Sequence, residues 1–184
     1  METLALVPHP DHPPLGVRAV TATLGPAQGH WLPIRWRIEG AGALTVPPFA
    51  GRGRADGLWR TTCFELFLAP VTGPVTGRGY CEFNLSPSER WAAYDFADYR
   101  DGMAERAMPR DAACALRGQG NLVIFDAALP VAGLPTMPCR AGLSAVIEEA
   151  GGRTSYWALA HPAGKADFHQ PACFATTLAA PTVT

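Results

Sequence analysis

The sequence is short of lysine, of long apolar runs and of closely paired cysteines. Lys165 is the only lysine among fifteen basic residues, and sixteen acidic residues bring the formal net charge to -1. Binding to nucleic acid or to an anionic membrane surface relies on an excess of basic charge, so we expect neither. No stretch approaches the roughly 20 consecutive apolar residues of a membrane-spanning helix.

The cysteines and the N-terminus indicate a reducing compartment. The five cysteines form no CxxC pair, and a chain of this size does not need crosslinks for stability, so reduced and mostly buried thiols are expected. The opening stretch METLALVPHPDHPP has no basic residue ahead of its first proline and is not typical of a signal peptide. These features favour a cytoplasmic protein.

Alternation of apolar and polar residues is the main structural signal. Nineteen glycines and eighteen prolines are scattered along the chain and leave few windows for long helices. WLPIRWRIE and TCFELFLAP alternate with a period of two, as strands with one buried face do. YCEFNLS and WAAYDF form a predicted hairpin, and NLVIFDAAL is apolar enough to be a strand buried on both faces.

These segments predict an all-β fold, most simply an antiparallel, jelly-roll-like β-sandwich of about nine to eleven strands. At most one or two short helices are expected, one of them around YRDGMAERA. With no linker or repeat, residues 1–184 are predicted to form a single domain. Residues 1–15 contain four prolines and are expected to form an irregular N-terminal arm.

A candidate ligand face follows from the same alternation. If Phe64 and its apolar neighbours face the core, Glu65 lies on the opposite face of the same strand. Polar groups there, beside tryptophan, would suit a neutral polyhydroxylated ligand, because aromatic rings cover the C–H side of a sugar while carboxylates and amides bind its hydroxyls. The alternative is structural: Glu65 and Glu82 would pair with arginines, and Trp59 and Trp91 would close the ends of the core.

A second cluster lies in HPAGKADFHQPAC, where Asp167 and His169 are two residues apart and could orient an imidazole for binding or proton transfer. Its spacing fits no common zinc signature, so no metal site is expected. An acid–base enzyme that uses Glu65 with His161 or His169 is one alternative function. A pair of carboxylates, as in glycoside hydrolases, could play the same part.

The segments LWRTTCFELFLAP, YCEFNLSPSERWAAYDFADYRDGM and YWALAHPAGKADFH resemble the DOMON-like domains, which are related to family-nine carbohydrate-binding modules and to haem-binding DOMON domains. The likeness runs from about residue 30 to residue 178. It implies a β-sandwich with a ligand groove on the concave face of one sheet, where two tryptophans sandwich a sugar. Trp59, Glu65, Glu82 and Asn84 match the motif positions, with Trp91 as a second platform.

The haem-binding relatives hold iron with a methionine and a histidine or lysine, and no such pair matches by motif here. We therefore predict a non-catalytic domain that binds a small carbohydrate-like ligand and needs no cofactor. A haem or electron-transfer module is a further alternative, as is an aromatic face that covers a partner protein, and the oligomeric state is open. The predicted ligand-binding residues are Trp59, Arg60, Glu65, Glu82, Asn84, Trp91, Tyr94, His161 and His169.

Overall fold

The computed structural model describes residues 2–71 and 79–180. Within these ranges the chain forms thirteen strands: β1 (Thr3–Pro8), β2 (Ala19–Leu24), β3 (Trp31–Glu39), β4 (Gly53–Arg54), β5 (Cys63–Pro70), β6 (Tyr80–Leu85), β7 (Arg90–Phe96), β8 (Ala104–Glu105), β9 (Ala113–Gln119), β10 (Leu122–Pro130), β11 (Cys139–Glu149), β12 (Arg153–Ala158) and β13 (Thr176–Leu178). Five 3-10 turns of three residues each, and no longer helix, accompany them in the same ranges: Ala41–Ala43, Leu58–Arg60, Val131–Gly133, Ala150–Gly152 and Pro171–Cys173.

Hydrogen bonds join the strands into one continuous sheet. Its order is β4-β7-β6-β5-β11-β12-β1-β2-β3-β10-β9, with β13 beside β11 and β8 beside β7. β1 connects the two halves, because it pairs with β2 through residues 3–6 and with β12 through Val7 and Pro8. The sheet curls into a half-barrel. The all-β class is confirmed, whereas a division into the two separate sheets of a sandwich is not.

The core lies between the two halves of this curled sheet and follows from the alternation seen in the sequence. Trp36 of β3, Phe64 of β5 and Phe125 of β10 are fully buried and meet at its centre. The Phe64 and Phe125 rings stack with their centroids 4.3 Å apart, and Trp36 lies 5.4 Å from Phe64. Burying aromatic rings in this way contributes a large share of the folding free energy.

The other face of β5, β6 and β7 is also buried, because the segment that follows β12 folds back over it. We call residues 159–175 the covering segment. Phe168 and Phe174 from this segment pack with Phe67 and Tyr80 of the sheet in a second apolar cluster. Gly142 of β11 allows the close approach, since a Cβ atom there would lie 2.8 Å from the Phe174 ring. The central strands therefore have two interiors, one on each face.

Three local expectations are wrong. The predicted N-terminal arm contains β1, which hydrogen-bonds on both edges and completes the sheet. β10 alternates between buried and more exposed residues, so it is not buried on both faces. The helix expected around residues 99–107 is replaced by a turn and β8, because Arg100 and Gly102 take positive φ angles of 52° and 64°, which a right-handed helix does not allow.

A buried glutamate fixes the segment that leads from β1 into β2. Glu149, at the end of β11, is fully buried. Its carboxylate accepts the backbone N–H groups of Leu15 and Gly16, each at 2.6 Å, and of Val17 at 3.0 Å. Charge-assisted bonds of this kind are stronger than neutral ones, and losing the acceptor would strand three donors away from water.

We expect Glu149→Ala to lower the free energy of unfolding by about 3 kcal/mol or more, because several buried N–H groups lose their acceptor together. Urea denaturation measures the loss, and amide hydrogen exchange should accelerate at residues 15–17. Glu105→Ala is the control, since the Glu105 side chain is 67% exposed and its removal should change stability by less than about 0.5 kcal/mol. Equal stability of the two variants would contradict the role given to Glu149.

Candidate functional site

A cavity of about 330 Å³ opens on the second face, between the sheet and the covering segment. The sheet contributes Glu65 of β5, Glu82 of β6, Phe96 of β7, Val146 of β11 and Tyr156 of β12. The covering segment contributes residues 166–169, and Trp59 lies at the side, in the 3-10 turn before β5. The cavity combines aromatic surfaces with several ionisable groups, which is typical of a ligand site.

Two carboxyl groups are the most buried of the ionisable groups that line the cavity. Glu65 and Glu82 are 3% and 6% exposed, on neighbouring antiparallel strands. Ser144 Oγ donates to Glu65 Oε2 at 3.2 Å, and the Asn84 amide donates to Glu82 Oε1 at 2.7 Å. In the described part of the chain, Glu65 Oε1 and Glu82 Oε2 accept no hydrogen bond. Each glutamate therefore has one oxygen without a hydrogen-bond donor among the described residues.

Burial changes the proton affinity of this pair. Desolvation raises the pKa of Glu65 well above its ordinary value, and the negative charge of Glu82 raises it further. Desolvation also raises the pKa of Glu82, although the Asn84 hydrogen bond and the positive charge of Arg100 act in the opposite direction. Two nearby carboxylates in a low-dielectric setting repel each other. The pair therefore holds a proton at a pH where exposed carboxyls have lost theirs.

His169 faces the same carboxyl pair from the covering segment. Tyr80 Oη accepts the backbone N–H of Arg100 at 3.2 Å and shares a hydrogen bond of 2.7 Å with His169 Nδ1. The other ring nitrogen, Nε2, lies 3.8 Å from Glu82 Oε2. Desolvation, with Arg100 nearby, lowers the pKa of His169 to about 4. The imidazole is thus neutral at neutral pH.

An ion pair closes the edge of the cavity. The Arg100 guanidinium donates to Asp167 Oδ1 at 2.8 Å, and Tyr99 Oη donates to Asp167 Oδ2. Although burial acts to raise it, the pKa of Asp167 is lowered by these hydrogen bonds from Arg100 and Tyr99. Asp167 therefore stays ionised and neutralises Arg100, while it ties the covering segment to the β7–β8 turn.

The structure brings four of the predicted site residues to the cavity wall: Trp59, Glu65, Glu82 and His169. Asn84 is fully buried beside Glu82 and acts by holding that carboxyl in place. The Tyr94 ring meets Trp59 edge-on at 6.3 Å, and its hydroxyl donates to Asp56 at 2.5 Å. Tyr94 supports Trp59 from behind, and Arg60 is exposed beside it; neither residue lines the cavity.

Two predicted residues lie elsewhere. Trp91 is on the opposite face of β7, 5% exposed in the main core, where its indole N–H donates to Asp111 Oδ1 at 3.1 Å. The expectation that it forms a second stacking platform is therefore wrong, because it sits an odd number of residues from Tyr94 along the strand. His161 does not line the cavity, and its Nε2 donates to the Val7 carbonyl at 3.0 Å.

Sequence reasoning missed the aromatic and basic residues that complete the cavity: Phe96, Arg100, Tyr156 and Phe168. The sequence could have indicated Phe96 and Tyr156, since each fits the two-residue alternation of its strand. Arg100 and Phe168 lie outside regular strands. Their place depends on the path of the covering segment and of a positive-φ turn.

No protein-family model and no curated protein matches the chain. Across residues 2–71 and 79–180, no three His, Cys, Asp or Glu side chains are grouped so that they could hold a metal ion. The same ranges contain no helix with the length and apolarity to cross a membrane.

The raised pKa of Glu65 gives a pH signature. A carboxyl that binds its proton more tightly in the folded state stabilises the fold below its ordinary pKa of 4.5 and loses this contribution as pH rises through the raised value. We expect the stability of the protein, relative to Glu65→Gln, to fall by up to about 1.4 kcal/mol per pH unit in this window. Urea denaturation of both proteins from pH 4 upward measures the difference.

The comparison with Glu65→Gln also removes the opposing effect of His169. The folded-state pKa of His169 is about 4, below its ordinary 6.5, so this group favours folding increasingly as pH rises between those values. Both proteins contain His169, and its contribution cancels in the difference. A difference that does not change with pH would show that Glu65 is not a buried, proton-retaining carboxyl.

Proposed function

We propose that this protein is a non-catalytic binding domain that takes a single carbohydrate-like ring into the cavity beneath the covering segment. The observation that carries the proposal is that one cavity contains both an exposed indole and buried hydrogen-bonding groups. Trp59 is 38% exposed at the side of the cavity, while Glu65, Glu82 and His169 lie inside. An aromatic face for C–H groups and polar groups for hydroxyls are the two features that sugar recognition needs.

The size of the cavity supports a small ligand. Its volume of about 330 Å³ is near the lower end of the roughly 300–1,000 Å³ of most ligand sites. One ring with its substituents suits this space better than an extended oligosaccharide or a fused macrocycle. The covering segment limits the space further, because the Arg100–Asp167 ion pair holds it against the sheet.

The proposal includes a kinship with DOMON-like domains and their sandwich architecture. The two halves of the curled sheet face each other across one core, through contacts such as Trp36 to Phe64, which is how sandwich sheets pack. Among the motif residues of the resemblance, Trp59, Glu65 and Glu82 line the cavity and Asn84 supports it. The site would differ from the sugar-binding relatives in having one tryptophan platform, because Trp91 lies in the core.

The acid–base alternative has one observation in its favour. Glu65 and His169 line the same cavity, so a protonated carboxyl and a neutral imidazole face a common space. Proton transfer is most efficient when the catalytic pKa lies near the working pH. With a pKa of about 4, His169 is a weak base at neutral pH. Binding is therefore the better-supported function of this pair.

The haem alternative has less support. Met103 and His169 both line the cavity, and a thioether with an imidazole is one axial ligand set for haem iron. Both nitrogens of His169, however, face protein groups, since Nδ1 bonds to Tyr80 and Nε2 points toward Glu82. The residues present do not fit haem, and added haemin should give no sharpened, red-shifted Soret band. Such a band would favour the haem module.

Trp59→Ala should weaken binding of the best ligand in a monosaccharide panel by about tenfold or more, because the stacking surface is lost. Isothermal titration calorimetry measures the affinity. Trp31→Ala is the matched control, since Trp31 is a partly exposed tryptophan at the start of β3, in the other half of the sheet. Equal affinities of the two variants would remove Trp59 from the site, and absence of binding across the panel would refute a monosaccharide ligand.

A further inference from the structure

We propose that the ligand carries a protonated primary amine, bound between Glu65 and Glu82, so that the ligand is an amino sugar rather than a neutral one. This inference rests on the proposed binding function and specifies its ligand class. It follows from the charge of the cavity, from the two carboxyl oxygens without a donor, and from the aromatic residues around them.

The cavity has an excess of acidic groups. Three acidic side chains, Glu65, Glu82 and Asp167, line it against one basic side chain, Arg100. Arg100 is bonded to Asp167 at 2.8 Å, so this pair neutralises itself. His169 is neutral at neutral pH. Among the described residues, the one basic side chain that lines the cavity with the two buried carboxyls is thus already paired with Asp167, and a buried charge without a partner of its own is costly.

The hydrogen-bonding pattern of the two carboxyls favours a ligand group that has several donors. Glu65 Oε1 and Glu82 Oε2 belong to carboxyls whose second oxygens are already held by Ser144 and Asn84. One ammonium group has three N–H donors and a positive charge, so it can bond to both free oxygens together. A single sugar hydroxyl donates one hydrogen bond and carries no charge, so it cannot replace the proton that the pair retains.

The aromatic residues favour the same ligand. Trp59, Phe96, Tyr156 and Phe168 line the cavity that contains the two carboxyls. The negative face of an aromatic ring attracts a cation, most strongly where water is excluded. The rings can therefore cover the apolar side of a sugar ring and add to the attraction for its ammonium group.

We expect the ammonium group of the ligand to replace the proton that the carboxyl pair holds. Without ligand, the Glu65–Glu82 pair retains a proton; when an ammonium group binds, the carboxyl O–H bond breaks, the proton is transferred to the buffer base, and no covalent bond forms between the protein and the ligand. Affinity should therefore rise with pH through the titration of the pair, until the amine loses its own proton. The other ionisable groups around the pair are Cys63, Tyr80, Tyr94, Arg100, Tyr156, Asp167 and His169.

The test compares each amino sugar with its neutral parent by isothermal titration calorimetry: glucosamine with glucose, galactosamine with galactose, and mannosamine with mannose. In at least one pair we expect the amine to bind about tenfold to a hundredfold more tightly, as one charge-assisted hydrogen bond would give. N-acetylglucosamine, which keeps the nitrogen without the charge, should lose this advantage. Titrations in buffers of different ionisation enthalpy should show proton release for the amines alone.

Variants assign the effect to the two carboxyls. Glu65→Gln and Glu82→Gln should each reduce the preference for the amine over its neutral parent at least tenfold, because the ammonium group loses a charged acceptor whereas a hydroxyl can still hydrogen-bond to the glutamine amide. Glu39→Gln, on β3 in the other half of the sheet, is the control and should keep the preference. Thermal denaturation of each variant confirms that it is folded before the titration is interpreted.

The outcomes separate this inference from the proposed function. If the neutral sugar of every pair binds as tightly as its amine, the ammonium site is wrong and the sugar-binding function stands. If ethanolamine binds but no sugar or amino sugar does, the ammonium site stands and the carbohydrate function is wrong. If neither the sugars nor ethanolamine bind, both proposals are refuted.

Discussion

The arrangement of the site depends on the burial of two glutamates on the face of the sheet that points away from the main core. β5 and β6 direct Phe64 and Phe83 into that core, and the alternation of the strands then directs Glu65 and Glu82 to the opposite side. An ordinary sheet would leave these carboxyls in water. Here the covering segment closes over them, so they need a proton, a cation or hydrogen-bond donors.

The covering segment is held by a small number of specific contacts. His169 bonds to Tyr80, Asp167 bonds to Arg100, and Phe174 packs over Gly142. Each contact joins the segment to a different strand or turn of the sheet. The cavity lies among these contacts, so the groups that anchor the segment also shape the candidate site. A change at one anchor should therefore alter the cavity as well as the local stability.

Much of the sheet was predictable, because a period of two in residues such as 31–39 specifies both a strand and its buried face. The same rule placed Glu65, Glu82 and Asn84 together on one side. The expectation for Trp91 goes against this rule, because it rests on the residue type rather than on the position of Trp91 relative to Tyr94. The alternation could not predict the positions of Arg100 and Phe168, since turns and long connections have no repeating pattern that sets the direction of a side chain.

A requirement for ligand binding would explain why the protein keeps two buried carboxyls that disfavour its fold. Replacing Glu65 and Glu82 by apolar residues of similar size would remove two desolvated acids, and such exchanges are often neutral or stabilising. Groups that disfavour the fold but lie in a cavity are expected where binding, rather than folding, requires them. A ligand that supplies the missing positive charge would relieve the repulsion between the carboxyls. Relief of this repulsion would lower the free energy of the bound state relative to the free protein and so would favour binding.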